Sequence, residues 1–265
     1  MKRPLLIRMA PDRLRLPVWS RLYSKLDPKW LPLYQSAALR FAPQVSMELV
    51  PGDLLSNIVA FTGIHELKLT RRLLTAGRQG GTLVDIGANL GYFTLLWASC
   101  NPQNKVLAFE ASPRNIDLLR RNVARNGFDG QVQVIPCAAG LEAGKSQFYL
   151  GPAEQRGWGG LALDKGELCV EIDVVRVDEV ITSTDPIAFM KVDTEGADLW
   201  ALKGCDRLLK AGLVREIAFE VCRPRCEALG ISPAAAPEYL RSVGYTTEAQ
   251  GDPAQWLVEW IARPA

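Results

Sequence analysis

Acidic residues follow predicted strands of this chain at three places, where carboxylates can bind a ligand. Asp85 lies at the carboxyl end of an apolar strand and precedes a glycine turn. Glu110 ends a second apolar strand, and Asp193 and Glu195 follow a third. Because the carboxyl ends of parallel strands form the ligand-binding edge of an open α/β sheet, we expect these side chains to share one site.

The glycine turn after Asp85 indicates the kind of ligand. Its glycines, Gly87 and Gly91, have the spacing G-x-x-x-G, which is incomplete as a dinucleotide fingerprint, and the absence of G-K-[ST] excludes a P-loop. A carboxylate fixed at this turn repels a pyrophosphate but suits a ligand with positive charge. S-adenosylmethionine fits because it carries an ammonium and a sulfonium group. On this stretch alone, a glycine turn in a generic α/β protein is the alternative.

Alternating strands and helices must position these carboxylates. Tyr92 begins the helix after the glycine turn, and Ser112 is predicted to cap a helix that starts at Pro113. The predicted strands cover residues 83–86, 105–110, 132–135, 187–192 and 214–221, with an antiparallel pair at 146–150 and 168–177 and a terminal hairpin at 245–249 and 256–261. This order predicts an α/β fold built on a mostly parallel sheet.

Composition excludes several classes of protein. The 265 residues are 48% hydrophobic and 23% charged, which is typical of a globular chain rather than a disordered one. His65 is the only histidine, so multi-histidine metal sites are excluded and we predict no metal. The six cysteines are scattered through apolar stretches, and no apolar run reaches membrane-spanning length, which favours reduced thiols and a cytoplasmic protein.

The N-terminal segment differs from the rest of the chain. Residues 1–50 carry nine Lys/Arg and three Asp/Glu, a net charge of +6 in a chain of net charge +2. Six prolines by residue 45 predict short helical pieces, such as residues 18–26 and 31–41. We therefore predict a helical appendage or lid at 1–60 and a catalytic domain at 61–265. The basic segment is either simply solvated or contacts membrane phosphates, an acidic substrate or nucleic acid; of these partners, a peripheral membrane contact stays open and we expect no nucleic acid.

The sequences DIGANLGYFT, FEASP and KVDTEGAD, in this order, resemble the FkbM family of S-adenosylmethionine-dependent methyltransferases. The resemblance covers residues 61–221 and the terminal hairpin, and its most specific element is KVDTEGAD at 191–198. Thr62 to Glu66 is similar to the family's lead-in, with His65 in the place of an aromatic residue. Residues 1–44 have no counterpart in it.

The resemblance implies the class I methyltransferase (Rossmann-like) fold, with seven strands and helices on both faces. It implies O-methylation of a hydroxyl on a saccharide or other small natural product. Glu110 matches the acid that binds both ribose hydroxyls, and Asp193 matches the acid beside the transferable methyl. The cofactor-binding residues carried over from the family are Asp85, Gly87, Ala88, Asn89, Gly91, Glu110, Ala111, Ser112, Cys137 and Ala138.

An alcohol acceptor must lose a proton as it attacks, and a positioned base accelerates such a step by about 10²–10⁴-fold. The predicted catalytic candidates are Asp193, then Glu195, then His65. Glu195 has a second interpretation in helix capping, and His65 in structural support. Two other functions stay open at this stage, an NAD-type oxidoreductase and a non-catalytic cofactor-binding module. The sequence leaves the acceptor and the oligomeric state undetermined.

Overall fold

The computed structural model describes residues 2–25, 27–162 and 168–265. Prolines break the N-terminal part into short elements, as predicted. The predicted helix at 18–26 begins earlier, at Asp12, and ends at Leu22; Leu26 lies outside the described residues. The predicted helix at 31–41 is wrong, since only one helical turn forms there before a short strand pair. The elements of this part are α1 (Leu5–Met9), α2 (Asp12–Leu22), a 3₁₀ turn (Pro28–Trp30), α3 (Pro32–Gln35), β1 (Ala37–Ala38), β2 (Ser46–Met47) and α4 (Leu54–Thr62).

The next part alternates helix and strand, as the sequence predicts. Ser112 occupies the N-cap position of its helix, but its hydroxyl makes no capping hydrogen bond, so the predicted side-chain cap is wrong. The elements are α5 (Leu67–Gln79), β3 (Thr82–Ile86), α6 (Tyr92–Cys100), β4 (Lys105–Phe109), α7 (Pro113–Arg125), β5 (Val132–Ile135) and β6 (Ala138–Ala139).

A small, mostly antiparallel sheet interrupts the alternation before the last parallel strands, and it contains the predicted antiparallel pair. The helical segment that contains Leu199 and Leu209 is divided in two at Gly204 and Cys205. The elements are β7 (Gly144–Tyr149), a 3₁₀ turn (Arg156–Trp158), β8 (Gly160–Ala162), β9 (Cys169–Val175), α8 (Val177–Val180), β10 (Ile187–Val192), α9 (Asp198–Lys203), α10 (Asp206–Lys210), β11 (Ile217–Cys222), α11 (Arg223–Ala228), α12 (Ala235–Ser242), β12 (Tyr245–Ala249) and β13 (Leu257–Pro264).

Seven strands form the central sheet in the order β12-β13-β11-β10-β3-β4-β5. β13 is antiparallel to both of its neighbours, whereas β11, β10, β3, β4 and β5 run parallel. One apolar core lies on each face of the sheet, because Leu83 and Val84 of β3 point to opposite cores. This arrangement confirms the predicted seven-stranded, mostly parallel class I sheet with helices on both faces.

The N-terminal elements share the core of one face. Ile7 and Trp19 are buried in the same cluster as Leu83. The Asn122 side chain of α7 accepts the Glu48 N–H at 2.7 Å and donates to the Glu48 carbonyl at 3.0 Å. The predicted domain boundary at residue 60 falls inside α4. Across the described residues, no helix is long and apolar enough to cross a membrane.

Candidate active site

The glycine turn brings the ends of β3 and β10 into close contact. Gly87 has a φ of +80°, a conformation that favours glycine. A Cβ atom at Gly87 would lie 1.9 Å from the carbonyl oxygen of Asp193. Only glycine therefore fits between the turn and Asp193, which explains why the predicted turn needs a glycine at this position.

Glu110 follows β4 and is held by the backbone around it. Its two carboxylate oxygens accept the N–H groups of Asn89, at 2.6 Å, and Ser112, at 2.8 Å. Burial raises the pKa of Glu110 to about 7, against the opposing effect of these two hydrogen bonds. The carboxylate is thus fixed in position and keeps free lone pairs for further donors.

A cavity with an empty volume of about 590 Å³ lies beside Glu110, and we call it the Glu110 cavity. Seven of the ten predicted cofactor residues line it: Gly87, Asn89, Glu110, Ala111, Ser112, Cys137 and Ala138. Asp85, Ala88 and Gly91 do not line it. Gly91 instead occupies the N-cap position before α6, with a φ of +95°, and Asp85 lies behind the turn, completely buried.

Four side chains on the wall of the Glu110 cavity have a buried polar atom without a hydrogen-bond partner. These atoms are Asn89 Oδ1, Ser112 Oγ, Asn115 Oδ1 and Arg156 Nε. Buried polar groups in folded proteins are nearly always paired, so a cluster of unpaired ones on one wall indicates a place for a polar ligand. Donors and acceptors are both present, which suits a nucleoside.

A buried lysine joins the predicted acids at the ends of β3 and β10. Lys191 Nζ lies 3.1 Å from Asp193, 3.8 Å from Asp85 and 2.9 Å from the Gly87 carbonyl. Burial alone would lower the pKa of Lys191, but the charges of Asp193, Asp85 and Glu66 raise it above its ordinary value. Lys191 therefore remains a cation that fixes the Asp193 carboxylate against the glycine turn.

A second, larger cavity, which we call the Trp158 cavity, has an empty volume of about 1080 Å³. Its apolar wall combines residues of α4, of the β11–α11 junction and of the terminal hairpin: Leu54, Leu55, Ile58, Trp158, Cys222, Pro224, Trp256 and Leu257. The candidate bases Asp193, Glu195 and His65 all line it. Asn89, Gly157 and Asp193 line both cavities, so the two meet at Asp193.

The segment between β7 and β8, residues 151–159, covers both cavities, and we call it the strap. Its Gly157 lies against Asn89, where an added Cβ would come within 2.9 Å of the amide nitrogen. On one side the Glu154 carbonyl accepts the Leu54 N–H at 2.8 Å. On the other side Arg225 donates to the Trp158 carbonyl at 2.8 Å and lies over the Trp158 ring. The strap is thus attached to α4 and to α11.

The three candidate bases have different partners. Glu195 pairs with Arg225 at 3.3 Å, and its pKa is raised to about 8 by burial and by the charge of Asp193. His65 Nε2 lies 2.9 Å from Glu66. Asp193, at 3.1 Å from Lys191, is the one that also reaches the Glu110 cavity. The geometry thus places Asp193 between the two cavities and ties Glu195 to the strap-binding arginine.

Three non-glycine residues in the described part of the chain have a positive φ: Glu66, Asn89 and Glu195, at 42°, 51° and 56°. All three line the Trp158 cavity. Such backbone conformations cost about 1–3 kcal/mol each and persist where the surroundings enforce them, commonly at functional sites. Their shared location supports the assignment of this edge of the sheet as the active site.

Several residues of the site have no role predicted from the sequence. Lys191 stands in the KVDTEGAD motif without a predicted role, although a lysine inside a buried apolar strand is a signal, because such charges need partners. Asn115 and Arg156 carry no pattern that distinguishes them from surface residues.

Glu66 and Glu220 line the Trp158 cavity beside Asp193. Burial and the neighbouring Asp193 raise the pKa of Glu220 to about 10.

Comparison with known proteins identifies relatives of this chain. The family model described as the methyltransferase FkbM domain matches residues 85–247, which is more than half of the chain. Methyltransferase sdnD of Sordaria araneosa is 31% identical over 185 residues, covering 56% of this chain and 70% of that protein. The 31-O-demethyl-FK506 methyltransferase FkbM of Streptomyces tacrolimicus is 28% identical over 207 residues, covering 66% and 76%.

Among solved structures, the cofactor-bound Rv0187 from MTB is similar over 99% of both chains, with 18% sequence identity and a TM-score of 0.45.

Proposed function

Because the chain belongs to the FkbM family of methyltransferases, we propose that it uses S-adenosylmethionine to methylate a hydroxyl of a sugar or another small natural product. The observation that carries this proposal is the meeting of the two cavities at Asp193. A cofactor in one cavity and an acceptor in the other would face each other across this carboxylate. Transfer between two bound molecules requires such a junction, since positioning supplies much of the rate.

We assign the cofactor to the Glu110 cavity. Glu110 would accept hydrogen bonds from the ribose hydroxyls, because its carboxylate is fixed and one carboxylate can accept from two adjacent hydroxyls. Ala111, Cys137 and Ala138 offer small or apolar walls for the adenine. The unpaired atoms of Ser112 and Asn115 would meet its polar edge. When bound, S-adenosylmethionine supplies a methyl group made electrophilic by the sulfonium.

We assign the proton transfer to Asp193. A hydroxyl in the Trp158 cavity would donate its proton to this carboxylate, which Lys191 holds in one orientation. Glu195 is the second candidate, but its pairing with Arg225 favours a role in holding the strap. His65 pairs with Glu66 and contacts Tyr92 edge-on, which favours structural support at the mouth of the cavity. The strap would exclude water from the reacting atoms.

The first experiment tests both halves of the proposal with the purified chain. Titration calorimetry with S-adenosylmethionine tests the cofactor assignment, and methyl-labelled S-adenosylmethionine with fractionated cell extract tests the acceptor class. Label in a glycan, sugar-nucleotide or small natural-product fraction supports the proposal. Label in protein or lipid keeps the methyl transfer and overturns the acceptor class. Absence of both label and cofactor binding overturns the proposal.

The two other functions predict different results in the same experiment. An NAD-type oxidoreductase would be stabilised against heating by NAD rather than by S-adenosylmethionine. The family model that matches this chain describes a methyltransferase domain, which argues against an oxidoreductase. A non-catalytic module would bind the cofactor without transferring label to any fraction. The presence of Glu110 in one cavity, and of Asp193 held by Lys191 at the junction of the two, favours the active enzyme.

A further inference from the structure

The first two helices expose an unusual number of large apolar side chains. Half of the twelve such side chains exposed in the described part of the chain lie within 18 residues: Leu5, Leu6, Met9, Leu14, Leu16 and Leu22. Met9 is 74% exposed and Leu5 is 59% exposed. Leu5, Leu6 and Met9 share one face of α1, within an arc of about 100°, and buried Ile7 lies opposite.

Exposed cations lie in the same segment of the chain as these apolar side chains. Lys2, Arg8, Arg13, Arg21 and Lys25 are all exposed, and none of them has an acidic partner among the described residues. The single acid between residues 2 and 25 is Asp12, which is already paired with Arg15 and Arg40. The surface of α1 and α2 is therefore apolar and cationic, without compensating negative charge.

The two helices are firmly attached to α4, so their exposed side chains are not a consequence of loose packing. Arg3 donates to the carbonyls of Ala60, at 2.8 Å, and Val59, at 3.1 Å. Buried Arg15 donates to the Thr62 carbonyl at 3.3 Å. The Ala60 and Thr62 carbonyls lie in the last turn of α4, where helical backbone acceptors lack intrahelical partners, whereas the Val59 carbonyl also accepts the Gly63 N–H. The cationic apolar surface is thus presented by helices that are fixed to the catalytic domain.

We propose that α1 and α2 form a docking surface for an anionic lipid membrane. Apolar side chains beside lysine and arginine match the interface of a bilayer, where the former enter the acyl boundary and the latter contact lipid phosphates. A second copy of the chain fits poorly, because the same face on both partners would oppose five cations with five cations. A nucleic acid would neutralise the charge but leave the leucines and Met9 uncovered.

This inference is independent of the proposed acceptor, but it has a geometric relation to the active site. α4 carries both docking helices on its C-terminal carbonyls and lines the Trp158 cavity with Leu54, Leu55 and Ile58. A membrane-bound enzyme would thus hold the wall of the Trp158 cavity at a fixed position relative to the bilayer.

The test is co-sedimentation of the full chain with phosphatidylcholine vesicles, with and without phosphatidylglycerol. We expect binding to the anionic vesicles that falls with added salt. The triple variant Leu5→Ser, Leu6→Ser and Met9→Ser should lower the partition coefficient about tenfold or more, since it removes the inserted face. Neutralising Arg8, Arg13 and Arg21 by Arg→Gln substitutions should abolish the preference for anionic lipid. The control, Leu141→Ser with Leu168→Ser, removes two other leucines, which are 40% and 41% exposed, and should bind as the parent does.

Three results would overturn the inference: no vesicle binding by the parent chain, equal binding by the α1 variant, or self-association that consumes the same face without vesicle binding. Duplex DNA binding that is insensitive to the leucine substitutions would also overturn it. Circular dichroism and thermal melting verify that each variant is folded. Cofactor titration of the same variants separates this result from the proposed function, because these side chains lie outside both cavities.

Discussion

The Asp53 carboxylate joins the start of α4 to the strap through Arg156. Its Oδ2 atom accepts the Ser56 N–H at 2.9 Å and caps α4, whereas its Oδ1 atom accepts the Arg156 backbone N–H at 3.0 Å. The side chain is almost completely buried. A single carboxylate therefore connects the N-terminal part of the chain with the strap over the Glu110 cavity.

Asp53→Asn tests this connection with a change of one atom. Asparagine caps helices as well as aspartate does, but its amide group has one acceptor oxygen, so one of the two backbone N–H groups faces an NH₂ donor. An opposed buried donor costs about 1–3 kcal/mol. We expect cofactor affinity to fall about tenfold or more and the melting temperature to fall by a few degrees, measured by calorimetry and thermal denaturation. Asp53→Ala, which loses both hydrogen bonds, should melt earlier still. Parent-like cofactor affinity in Asp53→Asn would contradict the role.

Glu110→Gln tests the ribose assignment. The amide loses one acceptor and its charge, so we expect the dissociation constant for S-adenosylmethionine to rise about tenfold or more, since hydrogen bonds to charged groups contribute about 1.5–3 kcal/mol. Glu171→Gln, at an exposed position, is the matched control. Equal affinity in the two variants would exclude Glu110 from cofactor binding.

The pH dependence of Glu110 gives a second measurement. Its folded pKa of about 7 lies above its ordinary value of 4.5, so the folded chain holds more protons than the unfolded chain between these values. Its contribution to the free energy of unfolding therefore falls as pH rises across this window. Cofactor affinity should change in the opposite direction, because the ribose hydroxyls donate to the carboxylate form. Denaturant melts and titrations at pH 5, 6, 7 and 8 should show both trends weakened in Glu110→Gln. Trends of unchanged size in this variant would assign them to other groups.

Asp193→Asn tests the proton acceptor. The substitution keeps the shape of the side chain, so cofactor affinity should stay within a few-fold, whereas turnover should fall by about 10²–10⁴-fold. Glu195→Gln is the comparison, and we expect a smaller loss of turnover with a weaker attachment of the strap. Single-turnover transfer of the methyl group from labelled cofactor measures the loss of turnover in both variants. If Glu195→Gln shows the larger loss in turnover, the two roles are exchanged.

Lys191→Met tests the buried cation. Removal of the lysine leaves Asp85 buried without a counter-charge, and breaking a buried pair in this way costs about 3–5 kcal/mol of unfolding free energy. The double variant Asp85→Asn with Lys191→Met should recover part of this loss, because the unpaired charge is gone. Urea denaturation of the two single variants and the double variant gives the coupling. Additive losses would mean that the two groups do not interact.

The sequence was sufficient for the sheet but not for the N-terminal part. Strands such as β3 and β10 are continuous apolar runs bounded by glycine or acidic residues, and buried strands of parallel sheets have this pattern. The N-terminal elements are one to three turns long, and their conformation depends on contacts with distant residues. Glu48, for example, pairs through its backbone with Asn122 of α7, a relation that no local pattern contains.

Some residues of the site could also be predicted from the sequence, whereas others could not. Glu110 and Asp193 follow strands, and their position in the chain is enough to predict that they meet at one edge of the sheet. Asp85 lies behind the turn, outside the cavity wall, because it is buried against Lys191 and Thr94. The sequence motif identifies this residue but not the direction in which its side chain points. Arg156 belongs to the site because the strap folds over Asn89. The sequence of the strap has no periodic pattern from which its path could be predicted.

The strap has a consequence for the binding of the two substrates. Gly157 is part of the wall of both cavities, and Asp53 and Arg225 hold the segment on either side of it. If the strap opens to admit a molecule to one cavity, it therefore also removes part of the wall of the other cavity. Occupation of one cavity should therefore change the affinity of the other, which steady-state kinetics at varied concentrations of both substrates would detect.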